Sequence, residues 1–180
     1  MNTWNRFMAW VLHVRLYIKA LVKWLVLAVT VGVLCGGIGS AFHIGVHHAA
    51  LLRGEYPWLL WCLPALGLAI VGFYKLTKTE GQGTNDVIDE VSLGKGLSLW
   101  LLPAIFLGTI LTHLGGGSAG REGAALQMGG TIGYHTGRLF GMDDRDMRTA
   151  TMAGMAAFFL PCSGRLWRPR CLLWRLSASA

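Results

Sequence analysis

Residues 24–52 contain no Asp, Glu, Lys or Arg. A hydrocarbon core of about 30 Å is crossed by about 20 helical residues rising roughly 1.5 Å each, so this run is long enough to span a bilayer. It constrains the fold more than any other feature, because a soluble domain would have to bury all of it. Further uncharged runs cover residues 56–74 and 96–120, with shorter ones at 123–137 and 149–164. The last two are short for full spans and read as tilted, broken or re-entrant helices. Composition points the same way. Of 180 residues, 53% are hydrophobic and only 14% charged, too little charge to hydrate a soluble surface and too much apolar material for disorder. The expected class is an all-α membrane protein.

The 16 Lys and Arg outnumber the 9 Asp and Glu, for a formal charge of +7. They sit mainly beside apolar runs rather than forming a nucleic-acid footprint, which is where the positive-inside rule places them. Arg15, Lys19 and Lys23 recur every four residues, making one basic stripe with Trp10, Val14, Ile18, Leu21 and Leu25 on the apolar side. Residues 1–23 therefore read as a cytoplasmic, interfacial amphipathic helix, and the N-terminus is expected in the cytoplasm. The first run is too long for a cleavable signal peptide, and no small-residue cleavage site closes it. Cys35, Cys62, Cys162 and Cys171 form neither a C-x-x-C pair nor a cluster, so no disulfide framework or zinc site is expected.

Glycine is abundant, 25 residues in all. Gly32, Gly36, Gly37, Gly39 and Gly45 inside the first run suit close helix packing in lipid. The clusters at 81–83 and 115–123 are different, since they adjoin polar residues at membrane depth. Gly115, Gly117 and Gly120 match G-x-G-x-x-G, but a long charge-free run stands where a dinucleotide fold needs a strand, so that reading is rejected. What remains is a Gly-rich stretch entering a helix, with Arg121 and Glu122 at the entry. A helix start exposes unpaired N–H groups and the positive end of the macrodipole, which together suit an anion. Two readings of Glu122 are open. Its carboxylate could occupy the anion's place until protonation withdraws it, giving a pH-sensitive gate. Alternatively, Arg121 and Glu122 are an ion pair capping a helix at the headgroups.

Gly120-Arg121-Glu122-Gly123, followed by Leu126-Gln127-Met128-Gly129, resembles the G-[KR]-E-G-P…Q-x-G signature of the CLC chloride channels and proton-coupled chloride transporters. Gly81-Gln82-Gly83-Thr84-Asn85-Asp86 is similar to that family's G-S-G-I-P-E segment, and Gly154-Met155-Ala156-Ala157 resembles the small-residue helix that follows. The resemblance implies the first inverted-repeat half of a CLC-type fold over residues 24–159, in a homodimer with a separate pore per subunit. It implies that Glu122 is the gate and that Gly81, Gln82, Gly83, Gly120, Arg121 and Gly123 bind the anion, which is chloride or another small anion, with protons a possible co-substrate. It implies no cofactor, no enzymatic activity, no nucleic-acid partner and a multi-pass location, with a bacterial inner membrane expected. Ala124 replaces the signature's proline, Gln82 stands at the anion-contacting serine, and Thr84-Asn85 replace Ile-Pro. Those departures leave selectivity open between chloride and fluoride, because a fluoride-exporting branch also alters the serine segment.

Residues 160–180 break the pattern, with four arginines and two tryptophans within 165–175. They read either as a basic juxtamembrane anchor or as a frameshift product, since a one-nucleotide shift of suitable codons yields a Gly-x-Pro-containing apolar helix. On the second reading the chain is a truncated, non-conducting membrane fragment of such a protein, and the pore tyrosine and internal proton-transfer glutamate lie beyond residue 180. His43, His47 and His48 have a metal-like spacing but no local carboxylate or thiol, and read as interfacial. His113 reads as a hydrogen-bonded residue near a helix end. Asp86, Asp89 and Glu90 read as acids favoured by a helix start. Trp24, Trp58, Trp61 and Trp100 suit interface belts.

Overall fold

The computed structural model describes residues 3–93 and 96–163. All regular elements among them are helical. Helix α1 (Thr3–Glu55) is followed by a 3₁₀ turn (Pro57–Cys62), then α2 (Leu63–Leu76), α3 (Thr84–Leu93), α4 (Leu101–Leu114), α5 (Arg121–Leu139) and α6 (Asp144–Ser163). The 160–180 segment, on which the anchor and frameshift readings turn, falls outside the described residues from 164 onward.

The basic stripe and the first apolar run share one helix of 53 residues, about 80 Å long at 1.5 Å per residue. No break separates residue 23 from residue 24, although a change of chemistry falls there. The reason is local: residues 3–55 contain no proline, and in lipid no water competes for the helical hydrogen bonds. The helix stops where proline dictates. Tyr56 precedes Pro57 and takes φ −122° and ψ 80°, outside the helical region. By length and composition, His13–Glu55 and Pro57–Leu76 are each able to cross a membrane.

The remaining helices are shorter. Helix α4 has 14 residues and α3 only 10, about 21 Å and 15 Å, so neither crosses a 30 Å core alone. Thr77 closes α2 by donating its hydroxyl to the carbonyls of Phe73 and Tyr74 at 2.9 and 3.2 Å. Lys78 (φ 53°) and Gly81 (φ 76°) then turn the chain into α3 through left-handed backbone.

The core lies between α1, α4, α5 and α6. Its largest fully buried side chains include Leu27 and Phe42 of α1, Leu101 of α4, Met128 of α5 and Phe158 of α6. Phe42 also packs on Phe106 with ring centroids 5.7 Å apart. Helices α5 and α6 meet most closely, backbone on backbone. A Cβ built at Gly154 would collide with the carbonyl oxygen of Gly129, and one at Gly133 with the carbonyl oxygen of Ala150. The tight glycines are thus chiefly those of α5 and α6. In α1, Gly45 faces Ile110, but Gly32, Gly36 and Gly37 have nothing within 4 Å, which corrects the expectation that they serve close packing. Lys23, from the basic stripe, lies 3.8 Å from Asp146 in the first turn of α6.

Candidate functional site

Two helix starts converge. Gly120, in extended conformation (φ −68°, ψ 112°), is the N-cap of α5, which places Arg121, Glu122 and Gly123 in the first turn. Gly83 precedes α3, whose first three residues are Thr84, Asn85 and Asp86. The Asp86 carboxylate reaches back to accept the Gly83 N–H at 2.6 Å, half of a capping box, which explains why a helix begins there. A Cβ built at Gly123 would stand 3.6 Å from the Thr84 hydroxyl oxygen, so the first turns of α3 and α5 touch. Gln127, one turn further along α5, donates its Nε2–H to Thr84 Oγ1 at 2.6 Å.

The sequence-predicted residues distribute around this junction. Gly83 and Gly123 lie at it. Gly120, Arg121 and Glu122 are exposed on the α5 side, and among the described residues neither Arg121 nor Glu122 has an ion-pair partner. The capping ion pair between them is therefore absent. Gly81 is exposed and serves the turn, as its positive φ requires. Gln82 donates its backbone N–H to Thr79 O at 3.2 Å, while its buried Oε1 has no hydrogen-bond partner among the described residues.

The arrangement offers an anion the positive ends of two helices at once, each equivalent to roughly half a unit charge. It needs no buried Lys or Arg. The apolar cavity of about 200 Å³ between α2 and α4, lined by Ile70, Phe73, Tyr74, Leu107 and Gly108, shares no residue with this junction. His48 Nδ1 lies 3.0 Å from Ile44 O and His113 Nδ1 lies 2.8 Å from Thr109 O, both tied to their own helices. No cluster of three or more His, Cys, Asp or Glu suited to a metal occurs among the described residues.

Sequence reasoning missed the Gln127–Thr84 bond. The available signal was Gln127 itself, a polar residue in the uncharged stretch 123–137, four positions after Gly123 and so on the same face.

The described chain is a bundle of short and long, largely apolar helices in which two helix starts meet, and the comparisons specify the family. The family model for voltage gated chloride channels matches residues 66–159, more than half of the chain. The chain belongs to that family of integral membrane proteins. It is similar to the chloride/fluoride channel protein of Pseudomonas syringae pv. tomato, with 36% identity over 79% of this chain and 32% of the relative. The H(+)/Cl(−) exchange transporter ClcA of Vibrio vulnificus is 30% identical over 74% of this chain and 32% of its own length. A crystal structure of a CLC-type fluoride/proton antiporter superposes with a TM-score of 0.73 at 33% identity, covering 81% of this chain and 37% of that one. The chain thus has a partial CLC helical fold and spans about a third of the length of the curated relatives it matches.

Proposed function

We propose that the chain supplies one half of the pathway of a CLC-type anion channel or proton-coupled exchanger, with the starts of α3 and α5 holding the anion and Glu122 gating it. The observation that carries this is the contact of the two helix starts, Gly123 against Thr84, with Glu122 in the same first turn. An ionised Glu122 competes with the anion for the same positive potential. Once protonated, the side chain loses that attraction and vacates the place, which ties anion passage to proton uptake. The role is transport rather than enzymatic, with a small anion and protons as partners and no nucleic acid.

Fluoride is the favoured alternative to chloride. Gln82 and Thr84-Asn85 depart from the chloride-type segment, and the relative at 36% identity is named for chloride and fluoride. In the membrane, the basic stripe of α1 faces the cytoplasm. The Lys23–Asp146 contact supports a cytoplasmic start of α6 on the same reading. The proposed setting is a bacterial inner membrane, with two subunits paired and a pathway in each.

The test is titration of sodium chloride and sodium fluoride into the detergent-solubilised chain by calorimetry, with ion efflux from reconstituted liposomes in parallel. Anion affinity is expected to rise on acidification in the parent, whereas Glu122→Gln should bind more tightly and lose the pH response. Affinity and efflux unchanged by Glu122→Gln at every pH would remove Glu122 from the mechanism.

A further inference from the structure

Helix α3 has only 10 residues, below the length at which a helix is stable on its own, so other contacts must fix its position. Two anchors to α5 stand out. At the deep end, Val87 is fully buried against Gly130, where a Cβ would come within 2.5 Å of Val87 Cγ1. At the site end, the anchor is the 2.6 Å hydrogen bond from Gln127 to Thr84, which ties together residues 43 apart in sequence. The first is apolar and non-directional. The second is directional and lies on the turn that faces the anion.

Resting on the function proposed above, we infer that Gln127 is a positioning residue whose bond to Thr84 sets the gap between the two helix starts, and with it anion affinity and selectivity. The field at the junction depends on both helix ends being close, since a helix end acts only over its first turn. Gly123 lets Thr84 approach, and Gln127 holds it there. Because Gln127 donates to the Thr84 oxygen, the hydroxyl proton of Thr84 is left to point elsewhere. A small, strongly hydrogen-bonding anion such as fluoride gains most from a fixed gap and a directed hydroxyl. A large anion such as bromide gains less.

The experiment is calorimetric titration of sodium fluoride and sodium bromide into the solubilised chain. Gln127→Leu is expected to weaken fluoride binding about tenfold, the scale of one hydrogen bond to a charged group, and bromide binding less. Thr84→Val, which removes the directed hydroxyl as well, should weaken fluoride at least as much, the double variant should be no worse than Thr84→Val alone, and Thr84→Ser should bind like the parent. A general loss of fold would lower both anions together and would not be rescued by Thr84→Ser. If Gln127→Leu does not fold, Thr84→Val and Thr84→Ser test the same contact from its other side. Parent-like fluoride affinity and selectivity in Gln127→Leu, or effects that multiply in the double variant, would overturn the positioning role. Where Glu122→Gln still changes binding in that case, the anion site stands and only this inference falls. A parent chain that binds neither anion would overturn both.

Discussion

Replacing Gly154 by alanine should weaken the structure, although alanine is the better helix former by up to about 1 kcal/mol. A Cβ at Gly154 would lie 2.8 Å from both the Cα and the N of Gly133 and would collide with the Gly129 carbonyl oxygen. Carbon atoms settle about 3.5 Å apart or beyond, so the α5–α6 seam must open by at least roughly 0.7 Å, and by more opposite the Gly129 oxygen. Every obstructing atom belongs to backbone, so no side chain can rotate away. A gap of that size forfeits about a quarter to a half of each contact's dispersion energy along the seam. Overpacking of this kind costs about 1–3 kcal/mol, and with only backbone in the way it falls at the upper end, leaving a net loss of about 2 kcal/mol after the helix gain. The thiol of Cys35, which donates to Gly154 O at 3.7 Å, would be displaced as well. Gly37→Ala is the matched control. Its Cβ meets nothing within 4 Å, so only the helix gain remains, between zero and about 1 kcal/mol of added stability. The assay is denaturant unfolding in detergent micelles followed by far-ultraviolet circular dichroism. A Gly154→Ala chain as stable as the parent would refute the reasoning, because the same substitution would then have one sign at both positions.

Gly81 sits at φ 76°, so Gly81→Ala should cost about 1–2 kcal/mol in the same unfolding assay, and Gly81→Asn less. Equal stability of the alanine variant and the parent would mean that the turn does not need left-handed backbone. Val87→Ala empties the fully buried space beside Gly130 and should cost about 2 kcal/mol, a loss below about 0.5 kcal/mol counting against Val87 as an anchor of α3. Lys23→Ala breaks a 3.8 Å pair whose side chains are each 36% exposed. It should cost less than about 1 kcal/mol, and a loss that did not shrink in high salt would contradict a solvent-screened pair.

The two helix starts were legible in the sequence because local chemistry sets them. Glycine ahead of an acid in the first turn marks a helix entry, and both Gly83 with Asp86 and Gly120 with Glu122 follow that rule. The unity of α1 was not legible. A change from basic to apolar residues at 23–24 suggests two segments, yet nothing in the backbone requires a break there. The roles of the glycines were not legible either, since Gly37 and Gly154 look alike locally. Only the arrival of α5 beside α6, decided by side chains elsewhere, makes one of them indispensable. Gln127 belongs to the same class: its polarity was visible, but its partner lies on another helix.

These two kinds of information meet at the junction of α3 and α5. Arg121 lies in the first turn of α5 but its side chain is exposed, as is that of Glu122. Under the function proposed above, the positive potential at the junction comes mainly from backbone dipoles, which act in a low-dielectric setting only where helices stop short of crossing the membrane. That is why α3, at 10 residues, and the glycine break before α5 belong to one design: a helix that spans the bilayer places its positive end among headgroups and water, where an anion gains little from it. In the proposed pathway a half-length helix would deliver the same end to a low-dielectric depth. Its instability as a short helix is then the cost of that placement, and contacts such as Val87–Gly130 and Gln127–Thr84 are what offset it.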